Sequence, residues 1–322
     1  MTRILNVAAA QMGPVQRDDT RAPVVERLLV MLREAASRGA QLVVFPELAL
    51  TTFFPRWYSD DRSEIDAWYE REMPSPVTQP LFDEAKRLEI GFCLGYAELT
   101  PAGHHHNTQI MVERDGAIVA KYRKVHVPGH EEYEPWRQFQ HLERYYFESG
   151  PDGFGVSRAF GGIVGMATCN DRRWPETYRV MGLQGVELIT IGYNTPMHYA
   201  PDPGQNALQQ FHNDLCLASG AYQNGTWVVG VAKGGTEEGV ESLAQSAIFA
   251  PSGQIVARTQ TTGDEVISVA ADLDLCFKFK NTLFQMDRYR EPQHYTRITS
   301  QKGVLEPPAE PDFTPTKYRT KG

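Results

Sequence analysis

The sequence predicts an α/β fold in which two similar halves, each mixing helices with a sheet, pack as one domain. Two observations predict it. Short apolar runs, suited to a sheet covered on both faces, alternate with stretches of helical periodicity. Two of these units also recur, in the same order, in the second half of the chain. With 322 residues, 41% hydrophobic and 22% charged, the composition is that of an ordinary globular protein. Length alone would allow one domain or two.

The first half opens with a strand over 4–10. A helical pattern covers 24–36, with Val25, Leu28, Leu29, Leu32 and Ala36 on one face and Gly39 as its stop. The run 41–45 reads as a short buried strand ending at Pro46 and Glu47. A second helix is expected over 77–88, then a strand over 91–97. Segments 108–112 and 117–122 flank Arg114-Asp115-Gly116, which reads as a hairpin turn.

The second half repeats these units. Gly39-Ala-Gln-Leu-Val-Val-Phe45 is echoed by Gly185-Val-Glu-Leu-Ile-Thr-Ile191, and the hairpin 110–120 by 247–257, with Gly253 in the place of Gly116. One match could be chance; two in one order argue for duplication. The expected division is a single domain over 1–304 and a proline-rich tail over 305–322. That tail holds four prolines and few apolar residues. It reads as solvated, or as a strap around a neighbouring subunit.

Composition excludes several classes of function. The net charge is −8 and no basic stripe stands out, which argues against a nucleic-acid partner. The N-terminal apolar run is broken at Asn6 and is too short for a signal peptide. No stretch approaches the roughly 20 apolar residues that span a bilayer. A cytoplasmic protein without a membrane partner is expected. The four cysteines, Cys93, Cys169, Cys216 and Cys276, show no C-x-x-C spacing, so neither a zinc site nor a disulfide framework is supported. The run His104-His105-His106 reads as a surface loop, and no metal or cofactor is expected.

Cys169 is the candidate nucleophile. It follows the apolar run 161–168 and precedes Asn170-Asp171-Arg172-Arg173-Trp174-Pro175, with Pro175 suited to a first helical turn. A strand, a sharp turn and a new helix would expose the thiol, and the helix start with two arginines would favour thiolate. Without those neighbours a buried structural cysteine would be the plainer reading. Glu47, at the end of an apolar strand, must be paired or carry a raised pKa, as a general base near neutrality requires. A helix cap or a structural ion pair is its other reading. Lys124, just past the first hairpin, could stabilise developing negative charge, or could belong to a solvated basic face.

Phe45-Pro46-Glu47, Lys121-Tyr-Arg-Lys124-Val-His126 and Cys169-Asn-Asp-Arg-Arg-Trp-Pro-Glu176 resemble the three ordered signature motifs of the nitrilase superfamily of carbon–nitrogen hydrolases. The resemblance spans about 5–295. It implies a four-layer α-β-β-α sandwich built from a duplicated half, with Glu47 as base, Lys124 as transition-state stabiliser and Cys169 as nucleophile. It also implies Glu143 as the carboxylate supporting the lysine, functional histidines at His126 and His141, and a homo-oligomer, dimer or tetramer.

Within the superfamily, the stretches 48–57, 128–133, 139–143, 170–177 and 192–196 are similar to the N-carbamoyl-D-amino acid amidohydrolases. A paired guanidinium beside the nucleophile suits a substrate carboxylate, which Arg172 or Arg173 would hold with help from Asn194 and Thr195. One of the two arginines could instead make a structural salt bridge. A backbone N–H near Asn170 would join Lys124 at the oxyanion. The sequence departs from the pattern at Val127 and over 201–205, which leaves the side-chain preference open. A β-ureidopropionase-like or aliphatic amidase-like enzyme is the alternative of the same chemistry. A catalytically silent interaction protein and a thiol redox protein using Cys216 are alternatives of other classes.

Overall fold

The computed structural model describes residues 2–308, and the chain divides into two compact units, Met1–Phe284 and Gln285–Gly322. In the first unit the chain runs β1 (Ile4–Gln11), α1 (Arg21–Ser37), β2 (Leu42–Val44), α2 (Arg62–Asp66), α3 (Gln79–Leu88), β3 (Gly91–Leu99), β4 (His105–Val112) and β5 (Ile118–Arg123). A single turn of helix, α4 (Glu143–Tyr146), follows. Then come β6 (Val156–Ala159), β7 (Gly162–Thr168), α5 (Pro175–Gly182), β8 (Leu188–Tyr193), α6 (Gln209–Asn224) and β9 (Trp227–Ala232). A small ribbon, β10 (Thr236–Glu237) and β11 (Val240–Glu241), leads to β12 (Ala247–Phe249), β13 (Ile255–Arg258), β14 (Glu265–Asp272) and α7 (Leu275–Lys280). The second unit holds the short helices α8 (Met286–Tyr289) and α9 (Thr296–Ser300). Most of the expected tail, 309–322, lies outside the described residues.

Two six-stranded sheets carry the duplication. Their orders are β14-β1-β2-β3-β4-β5 and β6-β7-β8-β9-β12-β13. In each, three parallel strands are flanked by an antiparallel edge strand on one side and an antiparallel hairpin on the other. The parallel strands need crossovers, which α1, α3, α5 and α6 supply. In the first sheet the edge position is filled by β14, from the far end of the chain. The repeated glycine-stop–strand unit is β2 and β8, and the repeated hairpin is β4-β5 and β12-β13.

Strand alternation builds the layers. On β1, Ala8 and Ala10 face helices α1 and α3, packing with Leu28, Leu32, Leu81 and Phe82. Leu5, Val7 and Ala9 face the other sheet and pack with Met166, Leu188 and Val229. The second sheet's outer face, with Ile189, Ile191 and Val228, covers Tyr178 and Met181 of α5 and Leu217 of α6. The result is the expected α-β-β-α order, with sheets covered on both faces and therefore largely apolar. Among the described residues, no helix is long and apolar enough to cross a membrane.

Some local expectations change. Helix α1 starts at Arg21, and Ala36 is only half-buried while Val24, Met31 and Ala35 join the buried face. Helix α3 starts two residues later than expected, at Gln79. The larger correction concerns His104-His105-His106. His105 and His106 lie inside β4, which pairs with β3 along its whole length, and both are buried. His105 bonds Asp66 (3.1 Å) and sits edge-on to Tyr69, so a polar pair compensates the burial that the run of histidines concealed.

Candidate active site

The site lies where strand ends of the two sheets meet. Its nucleophile candidate is set by backbone geometry. β7 ends at Thr168, and Cys169 takes a left-handed conformation (φ +48°), turning the chain into a short 3-10 segment before α5. A non-glycine residue rarely adopts that conformation unless its surroundings enforce it. Here Asp171 does so. Its buried carboxylate accepts from Thr168 N (2.9 Å), Tyr122 OH (2.6 Å), His126 N (2.9 Å) and His126 Nδ1 (2.9 Å). One carboxylate thus ties the cysteine turn to the segment that carries Lys124.

Glu47 follows β2 and enters the gap between the sheets. Room for it is made by two glycines, one in each sheet. A Cβ at Gly95 would fall 2.7 Å from Glu47 Cα, and one at Gly192 would fall 2.5 Å from Glu47 N. Glu47 Oε1 accepts from Asn107 Nδ2 (2.7 Å) and Lys124 Nζ (2.8 Å), and Oε2 accepts from Asn194 N (2.9 Å). Lys124 Nζ also donates to Glu143 Oε2, while His141 Nε2 meets Glu143 Oε1 at 3.0 Å. Glu47, Lys124 and Glu143 are essentially unexposed. The structure therefore brings Glu47, Lys124, Glu143 and Cys169 together from four separate segments.

Charge decides the proton positions. Burial alone would push the Lys124 ammonium down, but Cys169, Glu143 and Glu47 around it hold it well above the ordinary lysine value. Burial would raise Glu143; Lys124 and His141 keep it below the usual carboxylate range. Burial, then Glu47, pushes the Cys169 thiol up to about 12 against the opposing pull of Lys124. The expectation that the helix start and two arginines would favour thiolate is thereby corrected. The segment after Cys169 is a short 3-10 turn, and desolvation next to two carboxylates outweighs the cations. The thiol keeps its proton, and Sγ lies 3.7 Å from Asn194 O.

The donor atoms of Glu47, Glu143 and Cys169 lie within 4.8 Å of one another, which is metal-ligand spacing. The Lys124 ammonium, bonded to both carboxylates, already supplies a cation there.

A cleft of about 860 Å³ opens above Cys169. Asn170, Arg172, Arg173, Asn194, Thr195 and His141 all line it, with Glu47, Lys124 and Glu143 buried behind. His126 is not among its lining residues. Its ring stacks between Phe154 and Trp174 (5.4 and 5.0 Å) and is held by Asp171. The two arginines differ. Arg172 is buried and bonds Asn213 Oδ1 (2.8 Å), Cys169 O (2.7 Å) and Thr195 Oγ1 (2.7 Å), with its guanidinium over Tyr193. No carboxylate pairs with it among the described residues, so its structural partners are neutral rather than a salt bridge. Arg173 is exposed and makes one long contact, to Gln209 Oε1 at 3.5 Å.

Sequence reasoning passed over Asn107, Asp171 as a hub, Asn213 and Gly95. Asn107 had a signal: asparagine is depleted in strands, so one inside a buried strand asks for a polar purpose.

Comparison with known proteins agrees with this fold. The sequence model of the carbon-nitrogen hydrolase family matches residues 6–281. The chain is 27% identical over 296 residues to a nitrilase of Pyrococcus abyssi, covering 91% of this chain and all of that one. It is 26% identical over 313 residues to an N-carbamoylputrescine amidase of Solanum lycopersicum, covering 94% and 97%. Among solved structures, a carbon-nitrogen hydrolase from Helicobacter pylori G27 superposes with a TM-score of 0.79 at 19% identity, covering 93% of this chain and 99% of that one.

Proposed function

We propose that this chain, which belongs to the carbon–nitrogen hydrolase family, hydrolyses N-carbamoyl-D-amino acids to the free amino acid, carbon dioxide and ammonia. The observation that carries the substrate class is Arg173. It is a guanidinium on the wall of the nucleophile's cleft with no carboxylate partner among the described residues. A substrate carboxylate would fill that place bidentately. Arg172 would act differently, holding the Cys169 carbonyl and the Thr195 hydroxyl that border the substrate. N-carbamoylputrescine ends in an ammonium, which this wall would repel. The preference for the D enantiomer rests on the resemblance of the sequence stretches around the site.

In this reading Glu47 takes the Cys169 proton as sulfur attacks the carbamoyl carbon. The high proton affinity of the thiol makes a base necessary. Lys124, kept protonated by its two carboxylates, donates to the tetrahedral oxyanion together with a backbone N–H near Asn170. Collapse expels one nitrogen, protonated by Glu47, and leaves a thioester-type intermediate. One water, deprotonated by Glu47, releases it as a carbamic acid, whose remaining C–N bond then breaks to give carbon dioxide and the second nitrogen as its amine or ammonia. Cytoplasmic location and a dimer or tetramer remain part of the proposal.

The test is ammonia release from N-carbamoyl-D- and N-carbamoyl-L-amino acids and from N-carbamoylputrescine, using wild type, Cys169→Ala and Arg173→Leu. Turnover of the D form is expected, abolished in Cys169→Ala. In Arg173→Leu, KM should rise by roughly 10- to 100-fold, the loss of a charge-assisted bond. Turnover of the putrescine derivative alone would overturn the substrate class and leave the triad standing. An active Cys169→Ala would overturn the mechanism.

A further inference from the structure

We propose that Asn107 is the positioning residue that determines which oxygen of Glu47 acts as the base, and that this oxygen is Oε2. The inference rests on Glu47 being the base of the reaction proposed above.

A carboxylate oxygen offers two lone-pair sites. On Glu47 Oε1 both are taken, one by Asn107 Nδ2 at 2.7 Å and one by Lys124 Nζ at 2.8 Å. Among the described residues Oε2 receives a single donor, Asn194 N at 2.9 Å, which leaves one lone pair unfilled. A carboxylate oxygen of Glu47 lies within 4.8 Å of Cys169 Sγ. The residue that donates to Oε2 through its N–H is the same residue whose carbonyl lies 3.7 Å from Cys169 Sγ. Asn194 thus contacts both the oxygen with a free lone pair and the sulfur, which favours Oε2 as the acceptor of the thiol proton. In the resting state the S–H points to Asn194 O. In the reaction the S–H bond breaks, the Oε2–H bond forms, and the sulfur electron pair closes on the substrate carbon. The same proton then passes from Oε2 to the departing nitrogen, which leaves with the C–N electron pair.

Asn107 is built for this purpose. Its side chain is 1% exposed, and its backbone carbonyl accepts from Lys124 N at 2.9 Å. One residue thus fixes both the base, through its amide, and the lysine, through its main chain. The orientation of the amide is determined: with Oδ1 turned toward Glu47, two acceptors would face each other. Nδ2 donates, and Oδ1 is left buried without a partner among the described protein groups. A buried orphan acceptor is costly, and a purely structural strand position would be occupied more cheaply by an apolar residue. Next along the same face, Gln109 is buried with both polar atoms equally unpartnered, and among the described residues it makes no hydrogen bond to the reacting groups.

The charged and titratable groups facing Glu47 are Lys124 after β5, Glu143 on α4, Cys169 after β7 and Lys233 after β9, whose ammonium feels Glu47. Among its side-chain donors, Asn107 is the neutral one. Removing it takes a hydrogen bond from Glu47 and leaves Oε1 with an unfilled site that competes with Oε2 for the thiol proton.

The experiment compares full-length wild type, Asn107→Leu and Asn107→Asp by two pH profiles. One is kcat/KM on whichever carbamoyl or amide compound the wild type turns over; the other is the rate of Cys169 alkylation by iodoacetamide. Asn107→Leu should lower kcat/KM about 100-fold through a misplaced base. It should also move the acid limb of both profiles up by about one pH unit, the loss of one charged hydrogen bond. Asn107→Asp keeps the size of the residue and sets a second carboxyl against Oε1, so it should move the acid limb further. Activity within twofold of wild type, or a loss of activity with an unmoved acid limb in both variants, would overturn the assignment. Alkylation needs no substrate, so this outcome stands whether or not N-carbamoyl amino acids prove to be turned over.

Discussion

Two lysines are buried at strand ends of this molecule, and their surroundings drive them in opposite directions. Lys124 follows β5 and bonds two carboxylates, Glu47 and Glu143. Lys233 follows β9, donates to Thr51 O, and faces one carboxylate, Glu237, at 3.4 Å. Glu237 is shared: Arg56 takes its Oε1 at 2.7 Å, and Phe53 N and Val15 N fill the rest. The first cluster has two anions around one cation, and the second has two cations around one anion. Burial would push both lysines down. At Lys124 the excess of anions overrides it; at Lys233 the attraction of Glu237 does not, and Arg56 works against it. The lesson is that the net charge of a buried cluster, more than burial itself, decides where the proton rests. An anionic cluster beside a nucleophile can accept a proton. A cationic one, tied to backbone N–H groups of 15 and 53, can only hold loops in place.

Breaking the first cluster should have the largest effect. Lys124→Met leaves Glu47 and Glu143 buried without their cation and removes the oxyanion donor. We expect kcat to fall by roughly 10³-fold or more and stability by about 3–5 kcal/mol. Steady-state kinetics and urea unfolding measure the two separately. A variant that kept its activity would show that the oxyanion is held elsewhere. Breaking the second cluster should give the reverse pattern. Glu237→Gln keeps the shape but leaves Arg56 and Lys233 without an anion, at a cost of about 3 kcal/mol. Because Phe53 and Arg56 line the cleft, KM should change by a few-fold, with kcat little altered. A kcat loss as deep as that of Lys124→Met would erase the distinction drawn between the clusters.

Much of the fold was legible because its signals are local. Buried strands, glycine stops and the repeated hairpin are patterns within ten residues, and their repetition exposed the duplication. The three motifs likewise marked Glu47, Lys124 and Cys169, which the fold does bring together. What escaped was pairwise. Asn107 was lost because the strand was expected to begin at Thr108; the preceding histidines looked like a loop, and only pairing with β3 shows them as strand. The two arginines look equivalent in sequence, yet Arg172 is buried against Asn213 of α6 while Arg173 stays exposed with one long contact, to Gln209, among the described residues. The thiol's proton affinity was misjudged for the same reason. Sequence displays the nearby arginines, whereas the carboxylates that oppose them come from 47 and 143.

Lys233 offers the smallest and most discriminating test. Its folded proton affinity lies below the ordinary 10.5, so between the folded value and 10.5 the unfolded chain binds more protons than the native one. Stability attributable to Lys233 therefore increases as pH rises through that window. Lys124 is the opposite case. Its folded value lies above 10.5, so its contribution is complete below 10.5 and is lost only as pH rises through the folded value. Lys233→Met leaves Glu237 paired with Arg56 and should cost about 1 kcal/mol or less near neutrality, since the wild-type lysine is itself held against its preference. The stability difference between wild type and Lys233→Met, followed by urea unfolding from pH 7 to 10.5, should move in favour of the wild type as pH rises. The same difference for Lys124→Met should stay level across that range. Parallel curves for the two variants would mean that both lysines sit in clusters of like charge balance, and the contrast between an accepting site and a fastening one would fail.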